Sequence, residues 1–318
     1  MMEAKNQSVE IAAFDIPILL IIFNRPETTR KVFEVIRQRK PKYFFVAADG
    51  PRKEIESDND KCIAARAIVQ VDWDCEFHTL YREENRGCGH GPAEAISWFF
   101  EYVDEGIILE DDVLPGPGYF EFMQEMLSTF RNDSRVNMVS GLNLAQHWPL
   151  SFNNSIFTLF GGSAGWGTWK RAWKFFDYEM KEWKSGNRKL VLREKLNNKS
   201  YFEYFTNLFD TMSAQIGNDF WDYQWLYARL AQGGYCIIPK VNLVENIGFG
   251  DDASHTVLPN HPQAHIRHGK MKLPVSKPSI RGNKLYDRYI FERFMNTSAR
   301  SLYKKLILRV VRFLFTTK

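Results

Sequence analysis

Apolar runs of strand length alternate with segments of helical periodicity through the first third of the chain, and this alternation narrows the fold more than any other feature. Residues 18–23 form a continuous aliphatic run, the pattern of a parallel strand covered on both faces. A polar turn, Asn24-Arg25-Pro26-Glu27-Thr28, follows, and residues 29–39 then carry Val32, Val35 and Ile36 at helical spacing. Residues 43–48 read as a second strand ending at Asp49-Gly50-Pro51-Arg52, 59–71 as a helix and 76–81 as a third strand. Residues 91–103 predict a helix with Ala93, Ile96, Phe99, Phe100 and Val103 inward, and 106–109 a fourth strand. Strands interleaved with helices imply an α/β fold whose sheet is mostly parallel and built from right-handed crossovers.

The fourth strand ends abruptly. Residues 107–113 read Ile-Ile-Leu-Glu-Asp-Asp-Val, so Glu110, Asp111 and Asp112 place three carboxylates beside a strand that expects burial. Like charges this close repel by several kcal/mol unless a cation neutralises them. Oxygen donors favour a hard or borderline ion such as Mg²⁺ or Mn²⁺, and such ions commonly hold a diphosphate. An acidic turn that merely closes a strand is the plain alternative. Against it, Asn24-Arg25 and Asp49-Gly50 fall on the same carboxyl edge, where open α/β sheets bind their ligands.

A chain of 318 residues with 44% hydrophobic content has room for one large α/β domain plus extensions, or for two small domains. The aromatic share of 15% fits either a well-packed core or sugar-facing rings. A net charge of +4 is too small to argue for nucleic acid as a partner. Cys62, Cys75, Cys88 and Cys236 are widely spaced and form no metal-finger pattern, so reduced thiols in a cytosol are the default. Residues 1–16 hold three acids and no long apolar run, which predicts neither a signal peptide nor a membrane anchor there.

The second half is less regular. Residues 161–169, Gly-Gly-Ser-Ala-Gly-Trp-Gly-Thr-Trp, predict a loop that allows close backbone approach, its tryptophans serving either the core or a sugar. Residues 170–208 read as a charged helical excursion exposed to solvent, residues 218–225 open another helix, and 235–244 form a β-rich run. A loop containing Asp251, Asp252, His255, His261, His265 and His268 comes after Gly248-Phe249-Gly250.

Taken in order, these segments resemble the metal-dependent GT-A glycosyltransferases, and within them the N-acetylglucosaminyltransferases that act on the mannose core of N-glycans, together with related bacterial sugar transferases. The matching pieces are the first strand with Asn24-Arg25, the strand ending at Asp49, Glu110-Asp111-Asp112-Val113 with residues 117–122, Gly165-Trp166, Trp221-Asp222, and residues 236–239 leading to Gly248-Phe249-Gly250. They span roughly residues 16–255. The resemblance implies a Rossmann-like nucleotide-diphospho-sugar transferase fold with a mostly parallel central sheet and a C-terminal helical tail. It implies Asp112 as the ligand of Mn²⁺ or Mg²⁺, Asp111 on the ribose or donor sugar, Glu110 on the hydroxyls of the transferred sugar, Arg25 near the diphosphate and Asp49 on the base. Where the family carries an acid before that arginine, this chain has Asn24. Asp222 matches the family's catalytic base, which deprotonates the acceptor hydroxyl as it attacks the anomeric carbon, and Trp221 before it is expected to wall the donor site. Asp219 is the alternative base, although an Asp opening a helix is often only a cap. Many GT-A enzymes place a histidine from a C-terminal loop on the metal or diphosphate, and His255 stands where such a loop would fold; a solvated loop histidine is the alternative. His90 is expected to line the nucleotide pocket.

The expected organisation is an N-terminal extension over residues 1–15, a glycosyltransferase domain over 16–265 and a basic tail over 266–318. Within the tail, residues 301–317 alternate basic residues with Leu302, Leu306, Ile307, Val310, Val311, Phe313, Leu314 and Phe315, which suits a helix lying in a membrane interface, or an ordinary packing helix. The expected activity is inverting transfer from a nucleoside-diphosphate sugar, UDP-linked and UDP-GlcNAc in particular, to a glycan or lipid-linked acceptor. The expected place is the cytoplasm, at the inner face of the cytoplasmic membrane. Two other classes compete. A sugar-nucleotide pyrophosphorylase would need a glycine-rich phosphate loop after the first strand, and residues 24–29 contain no glycine. A carbohydrate-binding or membrane-associated scaffold would carry the acidic triplet as a remnant.

Overall fold

A computed structural model of the chain describes residues 14–151, 153–186, 188–214, 220–249, 265–271 and 278–295. The elements run β1 (Ile18–Ile22), α1 (Pro26–Arg37), β2 (Tyr43–Ala48), α2 (Glu56–Ile68), β3 (Glu76–Tyr81), α3 (Gly87–Tyr102), β4 (Glu105–Glu110), β5 (Val113–Pro115), α4 (Tyr119–Phe130) and β6 (Val136–Ser140). They continue with β7 (Ser155–Thr158), β8 (Trp166–Trp169), α5 (Lys170–Trp173), α6 (Lys181–Lys184), α7 (Lys189–Leu196), α8 (Lys199–Ala214), α9 (Asp222–Gln232), β9 (Tyr235–Pro239), β10 (Val244–Asn246) and α10 (Lys284–Ile290), which passes into a π-helical turn at Phe291–Met295.

Eight strands form one sheet in the order β3-β2-β1-β4-β8-β6-β9-β7. The first four are parallel to one another, and β6 and β9 pair in parallel too. Antiparallel β8 is inserted between β4 and β6, and β7 is an antiparallel edge. This is a Rossmann-like α/β architecture with a mostly parallel central sheet. Side chains alternate between two cores: Leu19, Phe45 and Ile108 face one, while Ile18, Leu20, Phe44, Val46, Ile107 and Leu109 face the other. The first core is covered by α3, α9 and the helices between β8 and α9, the second by α1 and α4.

β2 and β3 coincide with the expected 43–48 and 76–81. α1, α2 and α3 begin upstream of the expected 29, 59 and 91, because their first turns are polar or glycine-rich and carry no apolar period. Pro26 opens α1 at a position whose N–H needs no intrahelical partner, and Val32, Phe33 and Ile36 form its buried stripe.

Two expectations are corrected. Residues 166–169 are not loop but β8, which runs through the middle of the sheet with Trp166 and Trp169 fully buried, so these rings serve the core. The charged stretch 170–208 is not an exposed excursion. It breaks into α5, α6, α7 and the first part of α8, which bury Trp173, Trp183, Leu192, Leu196 and Phe205 under one face of the sheet, while most Lys and Arg side chains occupy outer positions.

The described residues beyond 265 pack on this body. Tyr286 and Ile290 of α10 are buried, the Tyr286 hydroxyl donates to Asn143 Oδ1 at 3.0 Å, and Asp287 Oδ1 accepts from the Leu159 N–H at 3.1 Å and from the Thr158 hydroxyl. Residues 301–317 lie outside the described residues. Among the described residues, no helix is long and apolar enough to cross a membrane.

Candidate functional site

β1 and β4 are neighbours with Ile21 opposite Glu110, so the segments that leave them emerge together at the carboxyl edge of the sheet. The Phe23 N–H donates to Asp111 Oδ2 at 2.9 Å. Arg25 Nη1 donates to Asp112 Oδ2 at 2.7 Å and lies 3.8 Å from Asp111 Oδ1. Asp112 is held from its other side by the two-stranded ribbon of β5 and β10, in which Val113 lies opposite Asn246. The Ile247 N–H donates to the Asp112 carbonyl at 2.7 Å. Gly248 then crosses the carboxylate so closely that a Cβ there would stand 2.4 Å from Asp112 Oδ2.

At the β2 and β3 end, Asp49 has turned into an anchor. Its Oδ1 accepts the Gly50 N–H, and the Arg86 N–H donates to both of its oxygens, each bond at 3.0 Å. Asp49 thereby holds the residue that caps α3. Arg66 Nη2 donates to the carbonyls of Asp49 at 3.0 Å and Arg82 at 2.6 Å, and Asn85 Nδ2 to that of Gly50 at 2.8 Å, which ties the two turns into one wall. Only glycine fits at position 50, where a Cβ would lie 2.5 Å from the Glu84 carbonyl carbon.

Between these ends lies a cleft of about 440 Å³ lined by Arg25, Asp49, Glu110, Asp111 and Asp112 among the expected residues. Five positions from three different segments thus meet in one cavity. Burial pushes the carboxyls of Glu110 and Asp111 well above the ordinary range, and the neighbouring Asp112 raises both further. Asp111 and Asp222 add to the effect on Glu110, while the Arg25 guanidinium opposes it on both groups. Burial also raises Asp49, against the lowering effect of its backbone N–H partners.

Other expected residues fall elsewhere. Asn24 sits beside the cleft with its amide on Asp58 Oδ1 at 2.7 Å; Asp58 also accepts both the Nε and Nη2 of Arg52, at 2.6 and 2.9 Å. His90 stacks on Tyr178, ring centroids 3.9 Å apart, and is not among the lining residues. Trp221 is buried and stacks on Trp166 at 5.6 Å, so it supports the start of α9 from the core and does not wall the cleft. Asp222 is the first residue of α9, within electrostatic reach of Glu110, and its Oδ1 accepts the Tyr223 N–H at 3.0 Å. His255 and Asp219 lie outside the described residues.

The cleft also uses Arg52, Arg82, Asn85, Cys88, Asn246 and Phe249, to which sequence reasoning gave no role. For the middle pair a signal was present: β3 ends at Tyr81, and the polar, glycine-rich stretch after it falls on the same sheet edge as the other clusters. Arg52 had none, because its guanidinium reaches the cleft only through its pairing with buried Asp58 and its position 5.4 Å from the Phe23 ring centroid.

Among the described residues, no three His, Cys, Asp or Glu side chains converge into a self-sufficient metal cage. The donors do suit a different kind of site. Mg²⁺ and Mn²⁺ commonly take one or two carboxylates and complete their shell with water and substrate phosphate. Asp112, partly open to the cleft and backed by two crowded carboxyls, fits a cation shared with a bound diphosphate.

No protein-family model matches the chain, and no curated protein matches it. Among solved structures, the inositol-1-phosphate CTP transferase from T. maritima overlays on 50% of this chain and 73% of its own, at 11% identity and a TM-score of 0.28. So partial an overlay carries no inference about activity, which has to come from the cleft itself.

Proposed function

We propose that the chain is an inverting GT-A glycosyltransferase that moves a sugar from a nucleoside-diphosphate donor, UDP-linked, to a hydroxyl of a glycan or lipid-linked acceptor. One observation carries the reading: Arg25, Asp49, Glu110, Asp111 and Asp112 line a single cleft at the carboxyl edge of a mostly parallel sheet, with Asp222 within electrostatic reach.

In this reading the nucleotide lies along the cleft, its diphosphate towards Arg25 and Asp112 and its base towards the wall that Asp49 anchors. Asp111 serves the ribose or donor sugar, and Glu110 orients the hydroxyls of the transferred sugar. A divalent cation held by Asp112 would supply neutralisation of the charge that develops on the departing diphosphate. Asp222 takes the proton of the acceptor hydroxyl while that oxygen bonds to the anomeric carbon, and the bond from that carbon to the diphosphate breaks on the opposite face, which inverts the centre. Trp221 fixes where α9 begins and therefore where the Asp222 carboxylate is delivered.

The deciding experiment is calorimetric binding of UDP, GDP, CMP and their common sugars, with and without Mn²⁺. A metal-dependent response to one nucleotide supports the reading; silence across the panel removes it. We propose in addition that the basic, apolar segment 301–317 brings the enzyme to an anionic membrane that carries lipid-linked acceptor. Deleting residues 302–318 should abolish co-sedimentation with anionic liposomes, and unchanged co-sedimentation would discard the idea.

A further inference from the structure

We infer that Arg25 is a latch on the metal-binding carboxylate: without donor its guanidinium occupies Asp112, and the donor's diphosphate draws it away, so cation binding depends on the nucleotide. The inference rests on the donor-site reading above and goes beyond it, because it assigns an order to events and a residue to that order.

Both partners of the latch are fixed in place. The Arg25 carbonyl accepts from the Thr29 N–H at 3.0 Å, the Thr29 hydroxyl at 2.7 Å and the Thr28 hydroxyl at 3.3 Å, and Pro26 follows at the start of α1. Arg25 therefore leaves a rigid helix start and reaches across from the end of β1 to the end of β4. Asp112 is pinned by the Ile247 N–H on its carbonyl and by the β5–β10 ribbon that begins one residue later. The Gly248 backbone lies close along the Asp112 side chain, leaving no room there for so much as a Cβ.

The contact at 2.7 Å is a charge-assisted bond to one of the two Asp112 oxygens that a cation could use. A carboxylate can hold both groups, but a divalent ion there would stand beside the guanidinium, like charge against like charge, in a cleft partly closed to water. That repulsion weakens cation binding while the arginine stays, and a diphosphate gives it somewhere to go, since phosphate oxygens match the planar guanidinium fork as well as a carboxylate does. By linkage, whatever factor the nucleotide adds to cation affinity the cation adds to nucleotide affinity.

Mn²⁺ binding followed by electron paramagnetic resonance, with and without UDP, tests the latch. Wild-type protein should bind Mn²⁺ alone roughly tenfold or more weakly than with UDP. Arg25→Gln should bind Mn²⁺ alone roughly tenfold or more tightly than wild type does alone. Lys53→Gln removes an equal charge from an exposed side chain that pairs with Glu84 and does not line the cleft, and should change Mn²⁺ affinity by about twofold at most. Equal Mn²⁺ affinity of wild type and Arg25→Gln without UDP overturns the latch, as does wild-type affinity that UDP leaves unchanged; either result leaves the donor reading standing if UDP binds. Absence of both UDP and Mn²⁺ binding in wild type overturns the donor reading and the latch with it. Should Arg25→Gln fail to fold, the two wild-type titrations decide alone.

Discussion

Glu110, Asp111 and Asp112 are consecutive, yet their surroundings differ. Asp111 is nearly closed off and takes a backbone N–H from Phe23, Asp112 faces Arg25 and Gly248, and Glu110 feels Asp222. Under the proposed mechanism, Asp112→Ala should weaken Mn²⁺-dependent UDP binding by on the order of tenfold or more. Asp222→Asn should leave that binding nearly unchanged and lower kcat by on the order of 10²-fold or more. Calorimetry and single-turnover transfer rates separate the two. Equal loss of donor affinity in both variants would contradict the division of roles. The acidic triplet itself was plain in the sequence, because an aliphatic run ending in three acids is a local pattern. The anchoring role of Asp49 was not, since the Arg86 N–H that fills its oxygens arrives from a separate crossover.

At the scale of elements, the β5–β10 ribbon fixes where the backbone of Asp112 stands at the end of β4. It is short, three residues on each side, but it joins the exit of β4 to the segment that follows β9. Gly248→Ala is the sharpest probe. Its Cβ would meet the Asp112 Oδ2 at 2.4 Å and the Asp112 Cβ at 2.6 Å, and the Ile247 N–H bond to the Asp112 carbonyl ties the two segments together. We expect roughly tenfold or greater loss of Mn²⁺-dependent UDP affinity with a stability cost of about 1–3 kcal/mol, in the range of other overpacking substitutions. Wild-type affinity in a folded Gly248→Ala protein, measured by calorimetry beside a thermal melt, would show that the ribbon does not position Asp112.

At the scale of the whole molecule, α10 clamps the distal edge of the sheet, and its buried carboxyl gives that clamp a pH dependence. Burial raises Asp287 from 3.8 to about 7, against the lowering effect of its Thr158 and Leu159 partners. The folded protein therefore keeps this proton over a range in which the unfolded chain has released it. The stability linked to the neutral carboxyl is complete below about pH 4, declines as pH rises, and is lost once pH passes about 7. Asp287→Asn keeps an acceptor for the same donors but cannot ionise, so the decline in stability between pH 5 and pH 8 should flatten by on the order of 1–4 kcal/mol. Denaturant melts at the two pH values check this; an unchanged slope in the variant would assign the pH dependence to other groups.

The sequence by itself determined the class of fold, the boundaries of β2 and β3, and the edge on which polar clusters gather. Those properties follow from local periodicity and from the rule that parallel strands present their carboxyl ends to ligands. Only the tertiary structure decided that residues 166–169 enter the sheet between β4 and β6, that the charged helices after them hide their tryptophans, and that Gly248 lies against Asp112. A glycine- and tryptophan-rich run has no period of its own, and a charged helix shows its buried stripe only once a partner face is specified. Contacts between distant segments depend on strand order and register, which are settled by competition among many pairings throughout the chain and leave no mark in any one window of it.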